Sequence, residues 1–196
     1  DMDGTVLNNK QQISDNNRKW IHKAIDEGII VCFATGRGIQ NVISYVEELE
    51  LDSPIVTVNG SEVWKKPHEL HNRHLIPSPQ IVELRQLAIQ YDVWYWGYAV
   101  EGLYRKEGWL EDHEDFNWLK FGVYTEDSSK LQTITETVRS WDVFEITNSH
   151  PNNIELNPKG ISKASGLREV CQIYGIDMGE VVAAGDSLND LAMIQH

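Results

Sequence analysis

The stretch SDNNRKWIHKAIDEGIIVCFATGRG, residues 14–38, decides the fold. Ser14 offers a hydroxyl suited to capping a helix, and Trp20, Ile21, Ala24 and Ile25 recur at helical spacing behind it. Gly28 suits the left-handed position just past a helix end. Residues 29–34 then form an unbroken apolar run, the pattern of a parallel strand buried on both faces. Thr35-Gly36-Arg37 closes the stretch where that strand hands over to the next helix.

Working outward, residues 39–49 read as a second helix and residues 55–58 as a short buried strand after Pro54. This alternation predicts an α/β fold with a parallel sheet. The rhythm changes from Ser78 and Pro79, which start a helix with Ile81, Leu84, Leu87, Ala88 and Tyr91 on one face. Residues 93–100 and 103–106 flank Glu101-Gly102 as a hairpin. Leu131, Ile134 and Val138 mark another helix, and residues 143–147 and 153–156 a second hairpin. The α/β rhythm returns after Pro158, with a helix carrying Leu167, Val170, Cys171 and Tyr174, a buried strand over 181–184 and a helix begun at Leu188. The expectation is an α/β core over residues 1–78 and 157–196, interrupted by an α+β domain over 79–156. An aspartate in first position and a helix barely begun at the other end point to a longer polypeptide.

The chain of 196 residues is 41% hydrophobic and 24% charged, which excludes a disordered or collagen-like chain. Its formal net charge of −13 argues against nucleic acid or an anionic membrane as partner, because both demand clustered Lys and Arg. No apolar run is long enough to span a bilayer. Cys32 and Cys171 sit inside apolar elements and read as free buried thiols of a cytoplasmic protein.

Four polar clusters fall at the carboxyl ends of expected core strands or at the chain start, where open α/β sheets place ligands. They are Asp1-Met2-Asp3-Gly4-Thr5, Thr35-Gly36-Arg37, Asn59-Gly60 and Gly185-Asp186-Ser187-Leu188-Asn189-Asp190. Asp1 and Asp3 are two apart, so an extended backbone points both to one face. Carboxylates that close need a cation, and hard oxygen donors without His or Cys suit magnesium. Thr35 and the backbone N–H groups around Gly36 can bind phosphate. Lys163, near a helix start, can neutralise phosphate or Asp1.

Asp1-Met2-Asp3-Gly4-Thr5, Thr35, Lys163 and Gly185-Asp186-x-x-Asn189-Asp190, in this order, resemble the four motifs of the haloacid dehalogenase-like (HAD) phosphatases. Residues 157–163, 185–193 and Thr57-Val58-Asn59-Gly60 resemble the Cof-type sugar-phosphatase branch. The resemblance implies a Rossmann-like α/β parallel-sheet core with an inserted α+β cap domain. It implies a magnesium-dependent phosphatase acting on a small phosphorylated metabolite through an aspartyl-phosphate, in a cytoplasmic monomer or weak homodimer. In the implied roles Asp1 is the nucleophile and Asp3 the general acid and base. Thr35, Gly36, Asn59, Lys163 and Asn189 contact phosphate or substrate, and Asp1, Asp3, Asp186 and Asp190 hold magnesium.

Competing readings are a phosphomutase, a dehalogenase, a receiver-like phosphorylation switch and a phosphosugar-binding relative without activity. The receiver needs neither the Gly-Asp-x-x-Asn-Asp motif nor an inserted domain, and a dehalogenase has little use for Asp3. His68, His71 and His74 share no strand face and read as an exposed polar segment. Trp94, Trp96 and Tyr98 fall on one strand face, as cap core or as a surface for stacking a sugar or flat ring.

Overall fold

The computed structural model describes residues 1–109 and 116–195. In chain order its helices are α1 (Asp15–Asp26), α2 (Ile43–Glu48), α3 (Ser78–Gln90), α4 (Ser128–Trp141), α5 (Lys163–Tyr174) and α6 (Leu191–Gln195). Its strands are β1 (Phe33–Ala34), β2 (Ile55–Thr57), β3 (Glu62–Lys66), β4 (Glu69–Arg73), β5 (Trp94–Ala99), β6 (Gly102–Arg105), β7 (Trp118–Tyr124), β8 (Phe144–Thr147) and β9 (Asn153–Pro158). The chain divides into two compact units, Asp1–Arg73 with Ser162–His196, and His74–Ile161.

The first unit carries a sheet in the order β1-β2-β3-β4. β1 pairs parallel with β2, and the β2–β3 and β3–β4 pairs are antiparallel. Met2, Phe33, Val42, Val46, Leu49 and Ile55 form one apolar cluster of this unit. Ala34, Val56, Val63, Ala164, Leu167, Val170 and Met193 form another, which seats α5 against β2 and β3. The Ser14 hydroxyl accepts from Asn17 N and caps α1, and Gly28 adopts a positive φ, as the sequence predicts.

Two expectations for this unit fail, for one reason. Of the apolar run 29–34 only Phe33 and Ala34 enter a ladder, while Ile29 and Ile30 are exposed. Residues 181–184 form no strand, and Val182 is 96% exposed. β1 is the edge of its sheet, and among the described residues neither run has a ladder partner on its other side. Both runs instead line a cleft of about 520 Å³ with Leu167, Val170 and Met193. Apolar periodicity reports an affinity for burial, and burial requires a neighbour on each side.

The hairpin β3–β4 falls where the sequence suggested only a polar segment, and β7 was not foreseen at all. Among the described residues His68, His71 and His74 form no metal-type cluster. Both cysteines are free, and burial pushes the Cys32 thiol up to about 12.

The second unit is an antiparallel sheet in the order β6-β5-β7-β9-β8. Ile81, Leu84, Leu87 and Ala88 of α3 and Ile134 and Val138 of α4 pack with Tyr95, Ala99, Phe121, Val123, Ile154 and Leu156 of the sheet. Alternation along β5 therefore turns Tyr95 into this core and Trp94 and Trp96 to the opposite face. The unit extends past 79–156 at both ends because Ile76 N bonds Trp118 O and Lys159 N bonds Val143 O. No helix among the described residues is long and apolar enough to cross a membrane.

Candidate active site

Residues distant in sequence converge on Lys163, the first residue of α5. The Ser162 hydroxyl accepts from Ser165 N and caps this helix, which fixes where Lys163 begins. The Lys163 ammonium donates to Asp1 Oδ1 at 2.7 Å and to Asp190 Oδ1 at 2.7 Å. All three side chains are buried, with exposures of 1%, 6% and 0%. A buried lysine is stable as a cation only with such partners. The other oxygen of Asp1 accepts from Thr5 Oγ1 at 3.0 Å. Asp190 Oδ2 accepts from Asp186 N and Ser187 N, each at 3.1 Å, so Asp190 also orders the turn that presents Asp186.

Carboxylate oxygens of Asp1, Asp186 and Asp190 lie within 4.8 Å of one another. Three carboxylates against one ammonium leave a negative surplus at one point. Gly4 makes this approach possible. Its φ is +74°, and a Cβ there would lie 2.0 Å from Asp186 Oδ2. The three acids could hold a divalent cation, and their donors are oxygen only.

Asp3 departs from its expectation. Residues Met2–Val6 form one wide turn, with Asp3 at ψ 128°, Gly4 left-handed and Leu7 N bonded to Met2 O at 2.9 Å. The chain is wound into a turn from Met2 rather than extended, so the alternation assumed for Asp1 and Asp3 does not apply. The Asp3 carboxylate stands outside the acidic cluster and accepts from Arg37 Nε at 2.7 Å and Arg37 Nη2 at 2.5 Å. Hydrogen bonding from Arg37 holds the Asp3 carboxyl below the usual carboxylate range, against a smaller opposing push from burial. The same bond raises Arg37. Arg37 is the residue whose part the sequence reading missed. Its signal in the sequence is adjacency to Thr35-Gly36 at the end of an apolar run.

Thr35 is buried, its N donates to Val56 O, and its hydroxyl accepts from Arg37 N at 3.2 Å. Gly36 lies half-buried between them in the loop after β1. Asn59 belongs to a turn with three successive left-handed residues, Val58 (φ 50°), Asn59 (φ 56°) and Gly60 (φ 98°). For a β-branched residue such as Val58 this is a strained backbone. Neighbours enforce it: Val58 N donates to Arg37 O at 2.8 Å, Asn59 N donates to Thr35 O at 3.0 Å, and a Cβ on Gly60 would meet Ser162 O at 2.2 Å. The buried Asn59 Oδ1 accepts from Asn189 Nδ2 at 3.3 Å. The turn thus ties the Thr35 loop to the start of α5 and to the segment bearing Asp186 and Asp190.

The chain was compared with known proteins. The family described as haloacid dehalogenase-like hydrolases matches residues 1–115 and 105–196. A relative from Bacillus subtilis, 5-amino-6-(5-phospho-D-ribitylamino)uracil phosphatase YcsE, is 42% identical over 196 residues, covering 100% of this chain and 78% of the relative. A second from the same organism with the same stated activity, YitU, is 27% identical over 219 residues, covering 100% of this chain and 81% of the relative. A solved haloacid dehalogenase-like hydrolase from B. subtilis superposes with a TM-score of 0.89 at 20% identity, over 99% of this chain and 84% of that one. The fold of the chain is that of these hydrolases. The chain is an enzyme of the phosphatase kind and belongs to the haloacid dehalogenase-like hydrolase family, in its Cof-type branch.

Proposed function

We propose that the chain hydrolyses the phosphate monoester of a small metabolite through an aspartyl-phosphate on Asp1. The observation that carries this reading is the buried contact of Asp1 with Lys163 inside a cluster of three carboxylates. A carboxylate nucleophile divides hydrolysis into two easier displacements. Lys163 is placed to stabilise charge on the transferred phosphoryl oxygens.

The donor set fits magnesium: hard oxygens only, from Asp1, Asp186 and Asp190, with the main-chain carbonyl of Asp3 as a further donor. Bound there, magnesium would supply positive charge opposite the phosphoryl group. Thr35, the N–H groups around Gly36 and Asn189 are the phosphate contacts in this reading. Asn59 serves them through its bond to Asn189. Asp3 carries the proton to and from the reacting oxygens.

The first substrate to try is 5-amino-6-(5-phospho-D-ribitylamino)uracil, the compound named for both relatives above. The unit His74–Ile161 is proposed as a cap domain that recognises the group attached to phosphate. A monomer or weak homodimer in the cytoplasm goes with this reading. The test is phosphate release from a panel containing that compound, sugar phosphates, flavin mononucleotide and pyridoxal phosphate, with magnesium and with chelator. Release from at least one that stops in chelator is expected. Release from none, or undiminished release in chelator, overturns the reading.

A further inference from the structure

We propose that Arg37 is the positioning residue for Asp3: its guanidinium fork fixes the Asp3 carboxylate in the one orientation from which it passes a proton. The inference rests on the phosphatase reading above and adds a residue to its machinery.

Asp3 has little else to hold it. Its side chain is half exposed and springs from a wide turn with a left-handed glycine next to it. Arg37 grips both of its oxygens, Nε on Oδ2 at 2.7 Å and Nη2 on Oδ1 at 2.5 Å. Two parallel bonds from a planar fork fix the carboxylate plane, which a single contact cannot do.

An exposed ion pair contributes little when both partners are mobile. Arg37 is not mobile. Nη2 also donates to Gln11 Oε1, and the guanidinium lies 5.6 Å from the centre of the Tyr45 ring. The Tyr45 hydroxyl donates to Gln11 O at 2.9 Å, so ring, Gln11 and fork form one piece. The Arg37 backbone is pinned as well, its N to the Thr35 hydroxyl and its O to Val58 N. The orientation of Asp3 is thereby referred to the loop that carries Thr35.

The fork leaves the chemistry open. A carboxylate offers about four lone-pair sites, and the fork uses one on each oxygen. In the first step, which Asp3 enters in its protonated form, an Asp1 oxygen bonds to phosphorus, the ester P–O bond breaks, and the leaving oxygen takes that proton, leaving Asp3 as the carboxylate. In the second, water attacks phosphorus and returns a proton to Asp3, and the P–O bond to Asp1 breaks. Arg37 gains and loses nothing in either step.

The test uses the full chain with magnesium and two probes, p-nitrophenyl phosphate and glycerol 1-phosphate. The first has a leaving group that needs little protonation. For Arg37→Met, the rate of the first displacement, read as single-turnover release of the leaving alcohol, should fall about 10–100-fold on glycerol 1-phosphate, against about 3-fold or less for the p-nitrophenol burst from p-nitrophenyl phosphate, with substrate affinity held for both. In an Asp3→Asn background Arg37→Met should add no further loss. Arg37→Lys should not rescue, because an ammonium cannot form the fork. Tyr45→Phe, a mild change, should show the same leaving-group preference to a smaller degree and covers the case of a poorly folded Arg37→Met. Equal losses of the first-displacement rate on both probes, losses that add to Asp3→Asn, or a weakened substrate affinity with that rate kept would overturn the proposal; the last result would make Arg37 a phosphate ligand. A wild type that releases phosphate from neither probe nor any panel compound overturns the phosphatase reading itself, and this proposal with it.

Discussion

Lys163 Nζ lies 2.7 Å from Asp190 Oδ1, with the lysine side chain 1% exposed and the aspartate fully enclosed. A buried charge pair of this kind adds little net stability over an apolar pair, but losing one member strands the other. The pair also carries position, since Asp190 orders the backbone that presents Asp186.

Lys163→Met should therefore leave Asp1 and Asp190 facing one another without their ammonium. Destabilisation by about 3–5 kcal/mol is expected, read from urea unfolding in chelator. In magnesium, kcat should drop at least about 100-fold, the scale of losing one preorganised charge contact to a developing oxyanion. A fully active variant of unchanged stability would remove Lys163 from the site.

Gly4→Ala tests the approach of the first turn to Asp186. Two penalties coincide there, the left-handed φ of +74° and a Cβ 2.0 Å from Asp186 Oδ2. Gly28→Ala is the control, with φ +81° and nothing within 4 Å of the added carbon. The control should cost about 1–2 kcal/mol, the left-handed penalty alone. Gly4→Ala should cost more and also weaken magnesium binding by displacing Asp186, as titration calorimetry would show. Equal effects of the two substitutions would mean that Asp186 is not where the cation binds.

The caps and breaks of this fold were legible where the cause is local. Ser14 and Gly28 act within a few residues, so their effect is written in short stretches of sequence. Residues 29–34 and 181–184 were misread because burial of a strand depends on what lies beside it. The acidic cluster was legible because its members stand in two short motifs, Asp1-Met2-Asp3-Gly4-Thr5 and Gly185-Asp186-x-x-Asn189-Asp190, whose carboxylates are written in the sequence itself. The Arg37–Asp3 pair was not: their sequence separation is large, and an i, i+2 rule assumes an extended backbone where the chain is wound into a turn from Met2. Val58 and Asn59 escaped too, since only tertiary bonds to Thr35 and Arg37 impose a left-handed conformation on a valine.

The Arg37–Asp3 pair predicts an acid dependence of stability. Asp3 has a depressed carboxyl in the folded chain, so the pair stabilises most when the unfolded carboxylate is also ionised, above about pH 4. Its contribution fades as pH falls through the lower folded value. The difference in urea midpoint between wild type and Arg37→Met should be constant from pH 7 to about pH 5 and shrink below about pH 4. The difference is small, because Asp3 is half exposed. A difference that grows on acidification contradicts the pairing.

Magnesium should bind the folded chain and raise its melting temperature. At a hundredfold excess over Kd the gain is about 2.7 kcal/mol. Asp186→Asn should lower this gain by weakening the cluster of Asp1, Asp186 and Asp190. Asp177→Asn changes an equal charge at an exposed helix cap outside the acidic cluster and should preserve the gain. An identical magnesium response in both variants would place the cation elsewhere.

Asp1 and Asp3 are two residues apart and occupy different surroundings, which predicts different failures. Asp1 lies within the acidic cluster with Lys163 on one oxygen and Thr5 on the other. Asp3 lies outside it, on Arg37. Asp1→Asn removes the nucleophile, so no phosphoenzyme should form and turnover should vanish. Asp3→Asn leaves the nucleophile, Lys163 and the Asp3 main-chain carbonyl in place and removes only the group that moves protons. General acid–base catalysis is worth about 10²–10⁴-fold, so turnover of an alkyl phosphate should fall within that range. With p-nitrophenyl phosphate the first displacement needs little protonation and should be largely spared. Attack by water on the aspartyl-phosphate then lacks its base, and phosphate should accumulate on Asp1. Rapid quench of Asp3→Asn at pH 7 followed by peptide mapping reads this directly. Phosphate on any other residue, or turnover surviving Asp1→Asn, would reassign the nucleophile.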